Sequence, residues 1–432
     1  MLTLRELAST ICCGGSAREP WSARLDTTEQ RATYRAALAV RQFRNLWLAQ
    51  VTSVAGDQLA RVALTVLVYD ETRSALDTAI TFAVSIVPMF LGGVFLAGVG
   101  DRWPRRRVMV SCDVIRTALV AIMALPAMPV AALVALLFVV TFLEAPFRSA
   151  RAAMYPDVLR GDLFVLGQTI SMTTYQASQV IGFAVGGVVV AGLGTRTSLI
   201  LDAATFAISA VLVRLGVDEH RPRTVSDVRR PTPLADARSG ARLVFGAPEL
   251  RMPMLFGWLA AFYNVPEGIA APLARVLHGG PAAVGTILAA GALGGTLGNV
   301  AFSRLVPPTR RAALMAPFAT CCCATLALLV FRLSLVPTVL ILTGSGLLGG
   351  YQAAASSAFV AAAPHDRRAQ AFGLAQGGMN LGQGTAMVLA GAAANYVSPR
   401  SVIAAAGALG AIAALTIVFT RSARPGRPGR SG

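Results

Sequence analysis

Apolar stretches separated by short polar connections run through most of the chain. Twelve of them reach about 20 residues, the length that crosses the hydrocarbon core of a bilayer. Because a backbone inside lipid has to satisfy its own hydrogen bonds, each stretch is predicted to be a helix, which gives an all-α membrane protein. The twelve predicted spans are residues 46–69, 78–100, 108–128, 130–150, 166–191, 197–217, 252–273, 282–305, 313–333, 335–360, 370–397 and 401–420.

Arginine is distributed unevenly between the connections. All 38 basic residues are arginine, since the sequence contains no lysine. If arginines near the ends of spans are counted with the adjoining connections, the two tails and every second connection hold 31 of them and the other connections hold five. The remaining two, Arg61 and Arg116, lie further inside spans. Arginine-rich connections stay in the cytoplasm under the positive-inside rule. The pattern predicts a multi-pass protein of the cell membrane with both termini in the cytoplasm, where anionic lipid headgroups are partners of the arginines.

The longest connection divides the chain into two blocks of six spans. Residues 218–251 are rich in Arg, Asp and Pro and are interpreted as a flexible cytoplasmic linker. The blocks on either side are assigned to residues 41–217 and 252–420. Residues 1–40 are polar and basic and are predicted to form a mostly disordered cytoplasmic tail, and residues 421–432 a second cytoplasmic tail.

An arginine-rich turn recurs at the same place in both blocks. Residues Asp101–Arg107 follow the second span, and residues Ser303–Arg311 follow the eighth, which is the second span of its block. This recurrence predicts two six-helix repeats related along the membrane normal, with a binding site near the midplane between them.

The first of these turns, from Gly98 to Arg107, resembles the signature that the major facilitator superfamily carries between its second and third helices. Three further segments are similar to the drug-efflux branch of that family, which includes macrolide and siderophore exporters. They are Phe43–Gln50 with Gly56–Gln58, Ala150–Asp157, and Gly182–Gly187. With the layout of two blocks, the resemblance covers about residues 41–420 and implies the major facilitator fold and secondary transport.

The resemblance also implies a role for the turn after the second span. In the family, the aspartate of the signature, which is Asp101 here, faces the start of the eleventh helix, where a helix N-terminus favours a carboxylate. Arg102, Arg105 and Arg106 would pair with carboxylates and lipid phosphates. These contacts are expected to latch the outward-facing state on the cytoplasmic side. The alternative is that the arginines only set the topology.

Ionisable residues inside the predicted spans are candidates for function, because a charge in lipid is costly. Asp57 and Arg61 lie four residues apart and are expected to pair, either to bind substrate, to switch on protonation, or as a static pair. Glu267 has no basic residue four positions away, so burial favours its protonated form and makes it the first candidate for proton coupling. Asp202, near the outer end of the sixth span, fits a hydrated position as well as a coupling one.

Two more opposite-charge pairs lie within single predicted spans. Glu144 and Arg148 are four residues apart in the fourth span, and Asp113 and Arg116 are three apart in the third. Such spacing brings the side chains together on one helix face. We expect these pairs to act at a gate or an interface between helices, and not as substrate ligands.

Amide and hydroxyl side chains are concentrated in the fifth and eleventh spans. They are hard to expose to lipid, so they are expected to face a cavity or another helix. Simple contact between helices explains them as well as cavity lining does. The six candidates for cavity lining are Gln168, Tyr175, Gln179, Gln376, Asn380 and Gln383.

Other classes of function have little support in the sequence. The arginines border apolar spans instead of forming one face, so no nucleic-acid partner is expected. The sequence has no phosphate-binding loop motif, and its six cysteines and three histidines lack the spacing of metal ligands. We therefore expect no cofactor, no metal and no enzymatic chemistry.

These observations predict a secondary active transporter, acting as a monomer, whose partners are a small-molecule substrate and protons. The expected activity is proton-coupled export of a small apolar or zwitterionic compound, such as a drug or secondary metabolite, because the spans hold few charges to bind a strongly charged cargo. A siderophore or another metabolite as cargo, and a membrane sensor that transports nothing, are the alternatives.

Overall fold

A computed structural model describes residues 33–95, 103–219, 233–364 and 367–422, and these form an all-helical protein. The helices before the long central connection are α1 (Tyr34–Ala39), α2 (Arg41–Thr72), α3 (Ala75–Val84), α4 (Val87–Phe95), α5 (Arg105–Met123), α6 (Val130–Val158), α7 (Asp162–Leu193) and α8 (Thr195–Gly216). The helices after it are α9 (Pro233–Gly246), α10 (Pro248–Trp258), α11 (Ala260–Tyr263), α12 (Val265–Gly268), α13 (Ala270–Val276), α14 (Pro281–Leu305), α15 (Pro308–Ala327), α16 (Leu335–Leu348), α17 (Tyr351–Ala362), α18 (Arg368–Ala394) and α19 (Pro399–Ser422).

Many of these helices are long and apolar enough to cross a membrane. Their outer faces expose large apolar side chains, for example Met172 and Val188 on α7, which suits contact with lipid. The protein is therefore a multi-pass membrane protein. Within the described ranges, nine segments qualify by length and apolarity: Arg41–Thr72, Ala75–Gly93, Val130–Val158, Asp162–Leu193, Thr195–Gly216, Pro281–Leu305, Pro308–Val330, Leu335–Ala362 and Pro399–Phe419.

The other three predicted spans differ from these nine in composition or in the continuity of the helix. Helix α5 begins with three arginines, and α18 is rich in amides and glycine. The predicted seventh span is divided into the short helices α10 to α13. The count of twelve spans is for this reason still a prediction.

The breaks in the predicted seventh span lie at Leu259, Asn264 and Ile269. Pro266 stands at the start of α12, as proline prefers, because it has no backbone N–H to offer inside a helix. Irregular backbone at membrane depth is tolerated where it lines a cavity or is covered by protein. The breaks place Glu267 on a single helical turn, α12.

The N- and C-terminal halves meet closely at one end of the molecule, the arginine-poor end. It is the end that carries Arg73, Arg196, Arg275, Arg332 and Arg400. There α7 and α14 touch through glycine: a Cβ on Gly187 would lie 2.8 Å from the Cα of Gly285 and 3.0 Å from the carbonyl of Pro281. Any side chain at these glycines would push the two helices apart.

Polar contacts join the two halves at the same end. Arg275, at the end of α13, pairs with Asp70 of α2 at 2.6 Å. The side-chain oxygen of Asn395 accepts a hydrogen bond from the backbone N–H of Ala75 at 2.7 Å. The arginine-poor end is closed by these contacts and by the glycine contact.

The central connection and the N-terminal tail contain ordered helices. Helix α9 lies within the predicted flexible linker, and its Val244 is fully buried in a cluster with Phe359 and Ala371 of the C-terminal half. Helix α1 lies within the predicted disordered tail, and its Ala37 is fully buried in a cluster with Phe43. Residues 1–32, 220–232 and 423–432 lie outside the described ranges.

Candidate functional site

A cavity lies between the N- and C-terminal halves. Its central part has a volume of about 210 Å³. Arg61 of α2 and Tyr175 and Gln179 of α7 line it from one half, and Glu267 of α12 and Gly291 of α14 line it from the other. Side chains from both halves therefore face one space.

Two further pockets extend from this central part toward the C-terminal half. One has a volume of about 210 Å³, also includes Gln179 and Glu267, and extends to Asn299 and Gln352. The other has a volume of about 310 Å³ and includes the same Asn299 and Gln352. The three neighbouring pockets share lining residues and together form the cavity.

The wall of the largest pocket is mostly apolar. Met254 and Trp258 of α10, Phe359 of α17 and Phe372 of α18 contribute to it. The indole N–H of Trp258 donates a hydrogen bond to the backbone carbonyl of Ala375 at 3.0 Å, which fixes the ring against α18. This pocket lies toward the arginine-rich ends of these helices, opposite the closed end.

Glu267 enters the cavity from the broken helix segment. Its backbone N–H donates to the carbonyl of Asn264 at 3.1 Å, which forms the turn that carries the side chain. Its half-buried carboxyl makes no hydrogen bond or ion pair with any residue in the described part of the chain. The sequence singled out this residue because it lacks a local partner, and the structure places it in the cavity wall.

The expected pair of Asp57 with Arg61 is not formed. Asp57 instead pairs at 2.9 Å with Arg116, which comes from α5. The guanidinium of Arg61 turns to the cavity and donates one long hydrogen bond of 3.4 Å to the backbone carbonyl of Ser85. Spacing along one helix could not reveal the partner of Asp57, because that partner lies on another helix.

Arg116 is the centre of a buried charge network in the N-terminal half. Its side chain is only 1% exposed, and it lies 3.8 Å from Asp113 as well as close to Asp57. Its guanidinium also stacks over the ring of Phe206 at 3.9 Å. Asp113 accepts a further hydrogen bond of 2.6 Å from the hydroxyl of Ser209. The predicted pair of Asp113 with Arg116 is present, and it is buried in the bundle.

Asp202 lies beside this network, and its side chain is 1% exposed. With Asp57, Arg116 and Glu144 it lines a small pocket of about 20 Å³. The hydrated position near the outer surface, one of the two expectations for Asp202, is not what the structure shows. Among the described residues no arginine lies within ion-pair distance of it.

Glu144 and Arg148 form the predicted pair within α6, at 3.3 Å. Arg148 also lies over the ring of Tyr175 at 4.9 Å and donates to the sulfur of Met89 at 3.2 Å. Glu144 lines the central cavity. Glu144 thus stands in the cavity wall, and its partner Arg148 fixes the position of Tyr175, another lining residue.

Arg105 and Arg106, two of the predicted gating arginines, bind residues of the N-terminal half. Arg105 pairs with Asp157 at the end of α6, and Arg106 lies 3.6 Å from Glu219, just after α8. These contacts tie the start of α5 to its neighbours.

The other two predicted gating residues, Asp101 and Arg102, lie outside the described ranges. The proposed contact of Asp101 with the start of the eleventh helix stays a prediction.

Two of the three fifth-span candidates line the cavity. The amide of Gln179 donates to the hydroxyl of Tyr175 at 3.0 Å, and both side chains face the central part. Gln168 is exposed and lines none of the three pockets. It lies about three helical turns before Gln179, near the arginine-rich end of α7.

The eleventh-span candidates lie on α18. Gln376 lines the largest pocket and donates to the side-chain oxygen of Asn380 at 3.3 Å. Asn380 and Gln383 are buried and line none of the three pockets. For these two residues, contact between helices describes the position better than cavity lining does.

Reasoning from the sequence missed one polar group of the C-terminal half. The amide of Gln352 donates to the hydroxyl of Tyr263 at 2.8 Å and to the backbone carbonyl of Gly257 at 3.0 Å. Gln352 follows a glycine pair and Tyr351 in an otherwise apolar span, and this is the signal that would have identified it.

Comparison with known proteins adds independent information. The sequence model of the Major Facilitator Superfamily matches residues 46–347 and 268–432. The "Multidrug efflux pump Tap" of Mycolicibacterium fortuitum is 25% identical over 265 residues, which cover 59% of this chain and 65% of that protein. This chain thus spans just under two thirds of the length of that curated relative.

Solved structures of similar shape are also transporters. One is a POT family transporter in complex with 5-aminolevulinic acid, with a TM-score of 0.70 and 12% identity, covering 89% of this chain and 96% of that one. Another is a bacterial homolog of the human lysosomal transporter Spinster in an inward-facing, occupied conformation. It has a TM-score of 0.66 and 14% identity, covering 90% of this chain and 97% of that one. At these identities the likeness concerns the fold alone.

Proposed function

The chain belongs to the major facilitator superfamily, and from this premise we propose that it exports a small apolar or zwitterionic compound in exchange for protons. Membership of this family makes the protein a membrane transporter and not an enzyme. The observation that carries the proposal is a carboxyl group without a partner, Glu267, in a cavity between the two halves.

The proposal includes the topology predicted from the sequence. Twelve spans form two six-helix repeats, with the broken helices α10 to α13 as the seventh span, and both termini lie in the cytoplasm. The distribution of arginine supports this orientation. The protein then acts as a monomer in the cell membrane, with anionic lipid headgroups around its arginine-rich end.

The conformation fits the loading of cargo from the cytoplasm. The two halves are closed at the arginine-poor end, and the largest pocket lies toward the arginine-rich end. Carriers of this type bind cargo near the midplane and expose the site to one side at a time. Under the proposed orientation, this structure is the inward-facing state.

The cavity wall supports the choice of cargo. Trp258, Phe359 and Met254 give one part an apolar surface, which favours an apolar body. Arg61 and Glu267 bring opposite charges to another part, and neither has an ion-pair partner in the described part of the chain. A zwitterion would satisfy both charges, whereas a strongly charged cargo would leave one of them buried and unpaired. The similarity to a multidrug efflux pump supports a drug as cargo.

Glu267 is proposed to exchange a proton for cargo. A carboxylate in the cavity can bind either a proton or a positively charged group of the cargo, and each excludes the other. Coupling requires that its affinity for protons differ between the inward- and outward-facing states. The broken helix segment is suited to this, since a short turn moves more easily than a continuous helix.

Transport in inverted membrane vesicles tests the proposal. A panel of apolar, cationic and zwitterionic dyes is supplied with and without a proton gradient, for the wild type and for Glu267→Gln. The wild type is expected to move at least one dye in a way that stops when the gradient is collapsed. Glu267→Gln is expected to lose this dependence, while Glu71→Gln, a change at an exposed glutamate, keeps it.

Two results would contradict the proposal in different ways. Full gradient-driven transport by Glu267→Gln would assign coupling to another residue. If no dye moved, and siderophores and common metabolites added to the panel also failed, the export proposal itself would be wrong, and a membrane sensor would be the better account.

A further inference from the structure

A second, smaller pocket lies behind the cavity, inside the N-terminal half. Asp57, Arg61, Arg116, Glu144 and Asp202 line it, and they come from α2, α5, α6 and α8. Its volume of about 20 Å³ is the size of roughly one water molecule. It is separated from the cavity by Arg61, Ser85 and Glu144, which line both spaces.

The carboxyl groups around this pocket do not all have a guanidinium partner. Asp57 and Asp113 share Arg116, at 2.9 and 3.8 Å, and Glu144 has its own partner, Arg148. Asp202 has none within ion-pair distance in the described part of the chain.

The remaining arginines nearby, Arg61 and Arg151, do not pair with Asp202 either. Arg61 contacts the backbone carbonyl of Ser85 and forms no ion pair among the described residues. Arg151, one turn after Arg148 on α6, lies 5.8 Å from the ring of Phe147 and lines neither space. An ionised Asp202 would therefore be a buried charge without a partner, which is costly in a membrane protein.

The hydrogen bonds of Thr205 give an independent reason to place a proton on Asp202. A threonine hydroxyl has one hydrogen to donate. That of Thr205 is directed to the backbone carbonyl of Asp202 at 2.7 Å. The same hydroxyl oxygen lies 3.3 Å from Oδ1 of Asp202. This second contact is a satisfactory hydrogen bond if the carboxyl carries a proton and donates it to the threonine oxygen.

Close packing holds the Asp202 side chain at this place. A Cβ on Gly56 of α2 would overlap both Oδ1 of Asp202 and Oγ1 of Thr205. Glycine at this position lets α8 approach α2 until the carboxyl is almost fully enclosed. Asp202 therefore has neither lipid headgroups nor bulk water to stabilise a negative charge.

Asp202 has no guanidinium within ion-pair distance in the described part of the chain, its contact with Thr205 fits a carboxylic acid, and its side chain is enclosed. We therefore propose that Asp202 is a proton-binding site of the N-terminal half, occupied in this conformation. It is separate from the cargo cavity, and Arg61, Ser85 and Glu144, which line both spaces, form the wall between them. The proposal goes beyond the exchange at Glu267. It concerns the protein at rest and holds whether or not export is the correct function.

Infrared spectroscopy of the purified full-length protein in lipid nanodiscs tests this proposal at neutral pH. The Glu267→Gln background removes the cavity carboxyl from the spectrum. A protonated carboxylic acid shows a C=O stretching band that an ionised carboxylate lacks. The band is expected in this background. It should remain when the control change Asp162→Asn, at an exposed aspartate, is added to the background. It should be lost when Asp202→Asn is added instead. A band that is unchanged by Asp202→Asn would overturn the proposal.

A second variant keeps the test decisive if Asp202→Asn does not fold. Thr205→Val removes the oxygen that accepts the proposed hydrogen bond and retains the shape of the side chain. The carboxylic acid band is then expected to shift to higher frequency without losing intensity. An unshifted band in Thr205→Val, or the absence of any such band in the background protein, would show that Asp202 does not hold the proton in this way.

Discussion

Most charged side chains inside the described part of the N-terminal half are paired, with Asp202 and Arg61 as exceptions, whereas the carboxyl that lines the cavity from the C-terminal half is unpaired. In the N-terminal half, Asp57, Asp113 and Arg116 form a network, and helix α6 supplies a paired glutamate and arginine. In the C-terminal half, Glu267 stands without an ion-pair partner in the described ranges, on a helix broken around it. Paired charges hold helices in place, whereas an unpaired carboxyl is available to a proton or to cargo. The difference suggests a rigid half and a responsive half.

The largest effect is expected from breaking the network. Arg116→Met leaves Asp57 and Asp113 without their shared partner in a buried site, which costs about 3–5 kcal/mol. Thermal unfolding of the purified protein measures the loss, and Arg332→Gln, at an exposed loop residue, is the control. If Arg116→Met were as stable as the control, the network would not be what holds the N-terminal half together.

The next effect concerns the contact that closes the arginine-poor end. In Gly285→Leu the new Cβ would lie 2.6 Å from the Cα of Gly187, and overpacking of this kind costs about 1–3 kcal/mol. The closed end is destabilised, so a cysteine placed at Ala292 in the cavity should react faster with a reagent added from that side. Gly192→Leu, where a side chain has open space, should leave the reaction rate unchanged. Equal rates in both variants would show that this contact does not control closure.

A smaller effect is expected in the responsive half. Tyr263→Phe removes the hydroxyl that accepts a hydrogen bond from Gln352, a loss of about 0.5–1.5 kcal/mol. Because this bond holds the amide of Gln352 in the cavity wall, its loss is expected to lower the affinity for a transported dye by no more than about tenfold, the factor that corresponds to 1.4 kcal/mol. Tyr396→Phe, at a side chain that is 92% exposed, should change nothing. A loss far above tenfold would mean that the hydroxyl of Tyr263 binds the dye directly.

The smallest effect is expected at the exposed ion pair of the closed end. Asp70 and Arg275 are 44% and 50% exposed, and pairs of this kind contribute about 0.2–1 kcal/mol. Asp70→Asn should therefore change the rate of dye export by less than about fivefold, and less at high salt, because salt screens the pair. A complete loss of export would show that this pair, and not the glycine contact, closes the molecule.

Much of the architecture could be predicted from the sequence. Within the described ranges, each predicted span falls on a helix or a run of helices, because length and apolarity are properties of single segments. The pair of Glu144 with Arg148 could also be predicted, since a spacing of four residues along one helix brings the two side chains together.

What the sequence did not reveal depends on contacts between helices. Arg116 reaches Asp57 from another helix, so no spacing rule identifies it. The burial of Asp202 depends on Gly56, a residue of a different span. The sequence does not show that these two residues lie against each other. The composition of α9 predicted a flexible linker. The helix is stabilised by packing on the C-terminal half, and composition does not reveal that contact.

The central claim is that protonation of Glu267 controls how the two halves are arranged. The most direct test is the distance between spin labels at Glu71 and Tyr396, exposed positions in opposite halves at the arginine-poor end, in a cysteine-free background. The account predicts a distance distribution that changes with pH in the otherwise wild-type protein and is independent of pH in Glu267→Gln. A distribution that responds to pH equally in both proteins would contradict it.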